Sequence, residues 1–508
     1  MNRARLVVLA ALLSAGGATA QELPPRSGEL EAASPSPPGG AGEEPGSALP
    51  PDPSAPDAAA IVGPTPGAPT LDLARAVSLA LERNFALLDS KDSVSASIWQ
   101  EQAARGRFFP QIVPLYQRGE DRSVFGLDLQ QQLPWTGGSL TATGRYSTEP
   151  GTDAPFPRTT DLRLLLSQPL LRGFGPNATF FDLTNARRAR TGQERSFELS
   201  RQRILIQVAS AFYNVVAQRQ LLDVAAQSLQ RTEGLQKASE ARLEVGMASK
   251  LDVFRADLQA AQAEEAMVRS QASLETALEQ FRSLLALPPD DPVEPEATPL
   301  PRPREDDVDA VEILVQEALS NRLELLETRD RVGDAERAFS LARQSLLPQL
   351  DVNLGVSQLG FGGSFGDAWA AGDRRVEFFL SASYPLQRQA EKANRAVAEI
   401  EVSSRQRAVR QRELDVEQEV RQAARELGRI RKSVELQERA VAVAVQQRRL
   451  AVLRYQRGLG SNFDVVDAEA SLVVARSALV SLLASYAVAR LDLLRVTGTL
   501  DVDVEFAP

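Results

Sequence analysis

The chain has 508 residues, with 57 Lys and Arg against 67 Asp and Glu and a formal net charge of −10. It contains neither Cys nor His, which excludes a disulfide scaffold, zinc sites with thiolate or imidazole ligands, and Cys-His or Ser-His-Asp catalysis. The acidic balance argues against a nucleic-acid partner, and nothing in the chain calls for a cofactor or a metal.

The first twenty residues read MNRARLVVLAALLSAGGATA. Arg3 and Arg5 form a positive n-region, Leu6 to Leu13 an apolar core, and Ala18-Thr19-Ala20 a cleavage site. Residues 1–20 are therefore expected to be a signal peptide, cut before Gln21. The apolar run is too short to span a bilayer, and no Cys follows it for lipidation. Residues 21–70 are rich in Pro, Gly, Ala and Ser and bury too little apolar surface to offset chain entropy, so a disordered linker is expected.

A helix is expected from about Leu71 to Arg107, stopped by Pro110. Apolar and polar residues then alternate at Phe125, Leu127, Leu129 and Leu133, and again at Leu162, Leu164, Leu166 and Leu170, as in strands with one apolar face. Between them lies an insert, PWTGGSLTATGRYSTEPGTDAPFP, that lengthens this hairpin. The segment GFGPNA (Gly173–Ala178) superficially matches a dinucleotide fingerprint, but the helix after it is far too long for a βαβ unit. Its glycines are better read as a sharp exit from strand to helix. One helical stretch runs from about Ala178 to Leu287, interrupted at Gly246. From Ala178 to Gly246 such a helix is roughly 100 Å long and needs a coiled-coil partner.

A Pro-rich linker at 288–307 leads to a second copy of the pattern. Ala80–Gln111 and Ala318–Gln349 align without gaps, and RLEVGMASKLDV (Arg242–Val253) matches RYQRGLGSNFDV (Arg454–Val465). Two copies, each far longer than a solenoid unit, indicate duplicated halves, 71–287 and 308–500, followed by a tail at 501–508. In the second half the helix runs from about Val308 to Leu346. Leu350 to Val356 and Val376 to Tyr384 alternate as a hairpin around the loop GFGGSFGDAWAAGD. A long helical stretch then runs from Gln389 to Thr497 with its break at Gly458. Val416, Val420, Ala423, Leu427, Ile430 and Val434 keep the spacing of a coiled-coil seam. Each glycine lets its chain fold back as an antiparallel helical hairpin.

One-sided strands suit either a sheet on a soluble core or a transmembrane barrel. Four strands are expected per chain, and no other sheet is present to cover them. Single-chain barrels start at about eight strands, and edges are not tolerated in lipid. Three copies would close a barrel of twelve. At the tips, Asp464 and Asp467 are three apart and share a helix face, with Asp252 at the matching place in the first half. Carboxylates there favour the helix N-terminus; in a ring of three copies they would also form a charged constriction.

LSQPLLRGFG (Leu166–Gly175), YQRGLGSNFDVVDAEAS (Tyr455–Ser471), YAVARLDLLRVTGTL (Tyr486–Leu500) and the first-half tip RLEVGMASKLDVFRADL resemble the outer membrane factors, the TolC-like outer membrane efflux proteins. The likeness covers about Leu71 to Leu500. It implies a mixed membrane α+β fold: a trimer with a 12-stranded outer membrane β-barrel, four strands per chain, continued by a long coiled-coil α-helical periplasmic duct. It implies a passive exit duct, not an enzyme, working with a periplasmic adaptor and an inner membrane transporter in efflux or type I secretion. Outer membrane lipid would meet the strand residues Val376, Phe378 and Leu380. Asp464 and Asp467 match the family's gate aspartates, and Asp252 and Tyr455 match positions that help hold the periplasmic end shut. The tips at Gly246, Met247, Gly458 and Leu459 would meet the adaptor. The arginine completing that lock falls at Gly460 and is missing here. The rival reading is a soluble periplasmic coiled-coil adaptor or scaffold.

Overall fold

A computed structural model of the chain describes residues 69–120, 122–148, 158–304 and 310–500. The expected signal peptide, nearly all of the expected linker and the tail at 501–508 lie outside the described residues.

The segment before each set of strands is helical, as expected, but broken once. Helix α1 (Leu73–Arg83) gives way to α2 (Phe85–Gly106) at Asn84. The Asn84 backbone is extended, and its side-chain oxygen accepts from the N–H groups of Ala86 and Leu87, which starts α2. Its amide donates to the Leu284 carbonyl at 3.0 Å, tying the break to the end of a longer helix. The second half breaks at the equivalent residue, Arg322, between α6 (Val311–Asn321) and α7 (Leu323–Gln344). Two-residue strands β1 (Thr70–Leu71) and β6 (Glu294–Pro295) pair in parallel beside this region.

The main sheet has six strands, not the four expected per chain. Their order is β2 (Gln111–Arg118), β3 (Ser123–Gln132), β4 (Ser139–Thr148), β5 (Arg158–Pro169), β7 (Gln349–Gly362) and β8 (Asp373–Ser383), every neighbour antiparallel. Two strands escaped the alternation test for separate reasons. In β2, Ile112 and Val113 are adjacent and Pro114 interrupts the run, a residue suited to a sheet edge. In β4, Thr, Ala and Gly give the apolar face too little contrast. The loop between β7 and β8 contains a short helix, α8 (Phe365–Ala370).

Gly173 and Gly175 adopt positive φ, and α3 (Pro176–Thr179) opens on Pro176, so the glycine-rich segment is indeed a strand-to-helix exit. Then come α4 (Phe181–Glu244) and α5 (Lys250–Leu284), and in the second half α9 (Gln389–Gln456) and α10 (Asn462–Thr497). At 1.5 Å per residue, α4 and α9 are each about 100 Å long. The seam of α9 buries Val416, Val420, Leu427, Ile430 and Val434, with Ala424 more deeply placed than the expected Ala423. These residues join Leu205, Val208, Phe212 and Val215 of α4, Phe281 of α5 and Tyr486 of α10 in one core. Each large apolar side chain buried there contributes about 1.5–3 kcal/mol. Helix α10 is long and apolar enough to cross a membrane by composition, yet it runs back along α9 and buries Leu472, Leu483 and Tyr486.

Arg219 on α4 is buried and pairs with Glu294, also donating to the Pro295 carbonyl. This ion pair pins the linker between the two halves. Burial pushes the Arg219 guanidinium below its usual value, and the Glu294 charge only partly opposes it.

Candidate functional site: the helix tips and the sheet

Both fold-back points are built alike. Gly246 and Gly458 adopt φ of 76° and 72°, a left-handed conformation that glycine enters without penalty. At the first tip the Gly246 N–H donates to Leu243 O at 2.9 Å and the Met247 N–H to Arg242 O at 2.7 Å. At the second, the Gly458 N–H donates to Tyr455 O at 3.0 Å and the Leu459 N–H to Arg454 O at 2.9 Å. This paired pattern closes a helix on a glycine and satisfies its last carbonyls.

The next helices then start on capping boxes. Ser249 caps α5 by accepting from the Asp252 N–H at 3.2 Å, while the Asp252 carboxylate accepts from the Ser249 N–H at 3.1 Å. Ser461 and Asp464 do the same for α10, at 3.4 and 3.0 Å. Asp252 and Asp464 thus have a local structural task, whatever else they do. Asp467 lies one turn further on the same face, exposed and in no ion pair among the described residues.

Tyr455 is buried at the second tip, and its hydroxyl shares a hydrogen bond with Ser239 Oγ at 3.1 Å. The Arg242 guanidinium stands 4.0 Å from the Tyr455 ring centroid and donates to Tyr455 O at 2.9 Å and Gln456 O at 3.3 Å. Buried Asn462 donates to Ser239 Oγ at 3.1 Å and to Asp252 O at 2.8 Å. The structure therefore brings Tyr455 and the Asp252 backbone into one network and leaves the Asp464 and Asp467 carboxylates facing out. Sequence reasoning missed Arg242, Ser239 and Asn462. A signal existed for the first: Arg242 aligns with Arg454, so each tip carries an arginine four residues before its glycine. A side chain at Gly460 would start 3.1 Å from Arg454 Cβ and 3.3 Å from Asp464 Oδ2. Position 460 carries no side chain, and the cation beside Tyr455 is Arg242, which reaches across from the other helical pair.

At the tips Met247 and Leu459 are 71% and 69% exposed. On β8, Val376, Phe378 and Leu380 lie on one face and are 80%, 69% and 57% exposed. Cross-strand register extends that face through Val356 and Leu354 on β7 to Leu164 and Leu166 on β5. The opposite face carries Arg163, Ser357 and Arg375 side by side. Among the described residues no group of His, Cys, Asp and Glu is arranged to hold a metal ion.

A family model described as outer membrane efflux protein matches residues 76–287 and 314–499. A search of curated protein sequences finds no match. Among solved structures, the outer-membrane channel OprN superposes with a TM-score of 0.66 at 16% identity, covering 84% of this chain and 90% of its own. The outer membrane protein VceC from Vibrio cholerae gives 0.65 at 16% identity, covering 84% of this chain and 96% of that one. The open state of the Neisseria gonorrhoeae MtrE outer membrane channel gives 0.62 at 18% identity, with 84% and 91% covered. At these identities the likeness establishes the fold, a sheet for a membrane barrel continued by paired helices. With the sequence family matched over both halves, the chain belongs to the outer membrane efflux proteins, as an outer membrane channel with a helical periplasmic part.

Proposed function

We propose that three copies of this chain close a barrel in the outer membrane and a helical duct beneath it, forming the passive exit of an efflux or type I secretion system. The sheet is the observation that carries this reading. It has one apolar exposed face, one polar face and two unpaired edges, β2 and β8. Edges in lipid must pair, and head-to-tail pairing of β8 with β2 of the next copy closes a ring. Val376, Phe378 and Leu380 then meet lipid.

The duct performs no chemistry. Energy comes from an inner membrane transporter, reached through a periplasmic adaptor that grips the exposed tips at Gly246, Met247, Gly458 and Leu459. Gating is a movement of these tips. Tyr455 and the Asp252 segment hold them together, and Asp464 and Asp467 ring the constriction and favour cations.

The test is the detergent-corrected mass of the protein from outer membranes, followed by planar-bilayer conductance. A conducting trimer supports the duct. A soluble periplasmic monomer or dimer favours the adaptor reading instead. Phe378→Lys separates the two: at the bilayer midplane it costs about 2–4 kcal/mol and blocks insertion, whereas a soluble scaffold tolerates it.

A further inference from the structure

Strands β3 and β4 form one complete down-and-up pair between β2 and β5, and the turn joining them returns to the helical end of the sheet. At that turn Trp135 packs edge-on against Phe180 at 5.2 Å, and Thr136 O accepts from Gln168 Nε2 at 3.1 Å. A side chain at Gly137 would meet Gly173 O at 2.3 Å, so the turn sits tightly on the strand-to-helix exit.

The pair shares the two faces of its neighbours. Leu127 and Leu129 lie opposite Gly144 and Ala142, and these lie opposite Leu162 and Leu164, in unbroken register with the apolar band of β7 and β8. On the other face Asp128 and Arg145 form an ion pair at 3.7 Å, and Arg145 lies opposite Asp161. A flap folded over the rim would not hold ladder hydrogen bonds along both of its edges.

We infer that each chain gives six strands to the membrane and that the trimer closes a barrel of eighteen, with an exit wide enough for cargo the size of a folded peptide. This rests on the trimeric duct proposed above. With strands about 4.8 Å apart and tilted by about 40°, eighteen strands enclose roughly 36 Å between opposite backbones, against roughly 24 Å for twelve. Removing a side-chain layer of about 5 Å on each wall leaves roughly 26 Å against roughly 14 Å. A helix with its side chains is about 10–12 Å across, so the wider lumen passes a helical hairpin and the narrower one a single helix. Helix α8 does not close it. Thr160 Oγ1 donates to Ala368 O at 3.1 Å, and Gly360 faces the same carbonyl, which sets α8 on the apolar side of the sheet. Selection by size then falls to the periplasmic tips.

The natural absence of cysteine makes the test direct. Leu127→Cys and Ala142→Cys are each labelled with a fluorophore in the full-length trimer, in phosphatidylcholine vesicles with brominated chains. Quenching at both sites is expected; a trimer that conducts but leaves either probe unquenched overturns the eighteen-stranded barrel. In parallel, poly(ethylene glycol) exclusion from the extracellular side is compared between the full chain and a deletion of residues 119–148, which keeps the up-and-down order. The full chain is expected to admit polymers about 1.8-fold wider, and equal cut-offs in two conducting trimers overturn the inference. Should the deletion not assemble, the two probes decide. A full-length protein that neither trimerises nor conducts fails at the duct reading itself, before strand number is at issue.

Discussion

Replacing Arg242 with Ala is expected to open the tips. The side chain is half-exposed, donates to Tyr455 O at 2.9 Å and Gln456 O at 3.3 Å, and stands over the Tyr455 ring. A hydrogen bond from a charged group contributes about 1.5–3 kcal/mol when protected; at this exposure the shorter bond supplies about the lower figure and the longer little. The cation on the ring adds about 0.5–1 kcal/mol. The sum is about 2 kcal/mol per tip, and with tenfold for every 1.4 kcal/mol the open fraction of each tip rises about 30-fold. Tyr455→Phe keeps the ring and both carbonyls and loses only the Ser239 link, about 1 kcal/mol or about fivefold. Open probability in planar bilayers, on trimers of verified mass, is the readout. Wild-type gating in Arg242→Ala, or a larger effect from Tyr455→Phe than from Arg242→Ala, would refute the assignment of the latch to the guanidinium.

Asn462→Ala removes the donor to both Ser239 and Asp252 O and is expected to open the tips less than Arg242→Ala; the double variant should open them by less than the product of the single effects, because the two residues act through one chain of contacts, Arg242 on Tyr455, Tyr455 on Ser239 and Ser239 on Asn462. Asp464→Asn with Asp467→Asn should lower cation selectivity in reversal-potential measurements while leaving trimer mass unchanged, and an unchanged reversal potential would remove the acidic ring from the gate. Glu294→Ala strands the buried Arg219 charge and is expected to cost about 3–5 kcal/mol, read as a lower thermal midpoint in detergent; no shift would mean that the pair is not desolvated in the assembled duct. Burial pushes the Glu324 carboxyl up, but hydrogen bonds from Arg322 and its own backbone, with the Arg322 and Arg412 charges, outweigh this and hold it below the usual value. A depressed carboxyl stabilises the fold above its unfolded pKa and loses that contribution as pH falls through the folded value, so the wild type should lose more stability than Glu324→Gln below about pH 4.3; parallel acid curves would refute the pairing.

The elements that were legible in the sequence share a cause: one local rule decides them. The long helices carry an apolar seam at unbroken spacing, and Gly246 and Gly458 are the residues that a left-handed helix end requires. Strands β5, β7 and β8 alternate cleanly because one face meets an apolar medium. The elements that were missed depend on what lies beside them rather than on their own pattern. β2 is a strand because β3 lies beside it, despite Pro114, and β4 takes its place from β5 although its outward residues include only Leu140, Ala142, Gly144 and Tyr146. The break at Asn84 is held by the Leu284 carbonyl, two hundred residues away. Arg242 reads as one more surface arginine until the second repeat is laid against the first.

That juxtaposition of repeats shapes the gating proposed above. Each tip is internally complete, with its glycine turn and its capping box made within one helical pair. Every bond of the latch crosses between the pairs. Ser239 and Arg242 on α4 hold Tyr455 and Gln456 on α9, and Asn462 on α10 holds Ser239 on α4 and the Asp252 carbonyl on α5. Duplication supplied two equivalent hairpins, but Leu243 stands where the second repeat has Tyr455, so the hydroxyl and ring that Ser239 and Arg242 engage exist on one side only. In the proposed gating, opening therefore does not unwind a helix or break a turn. It separates one intact hairpin from the other, at the cost of a few hydrogen bonds and one cation on a ring, which is within the range that a docking partner's binding energy supplies.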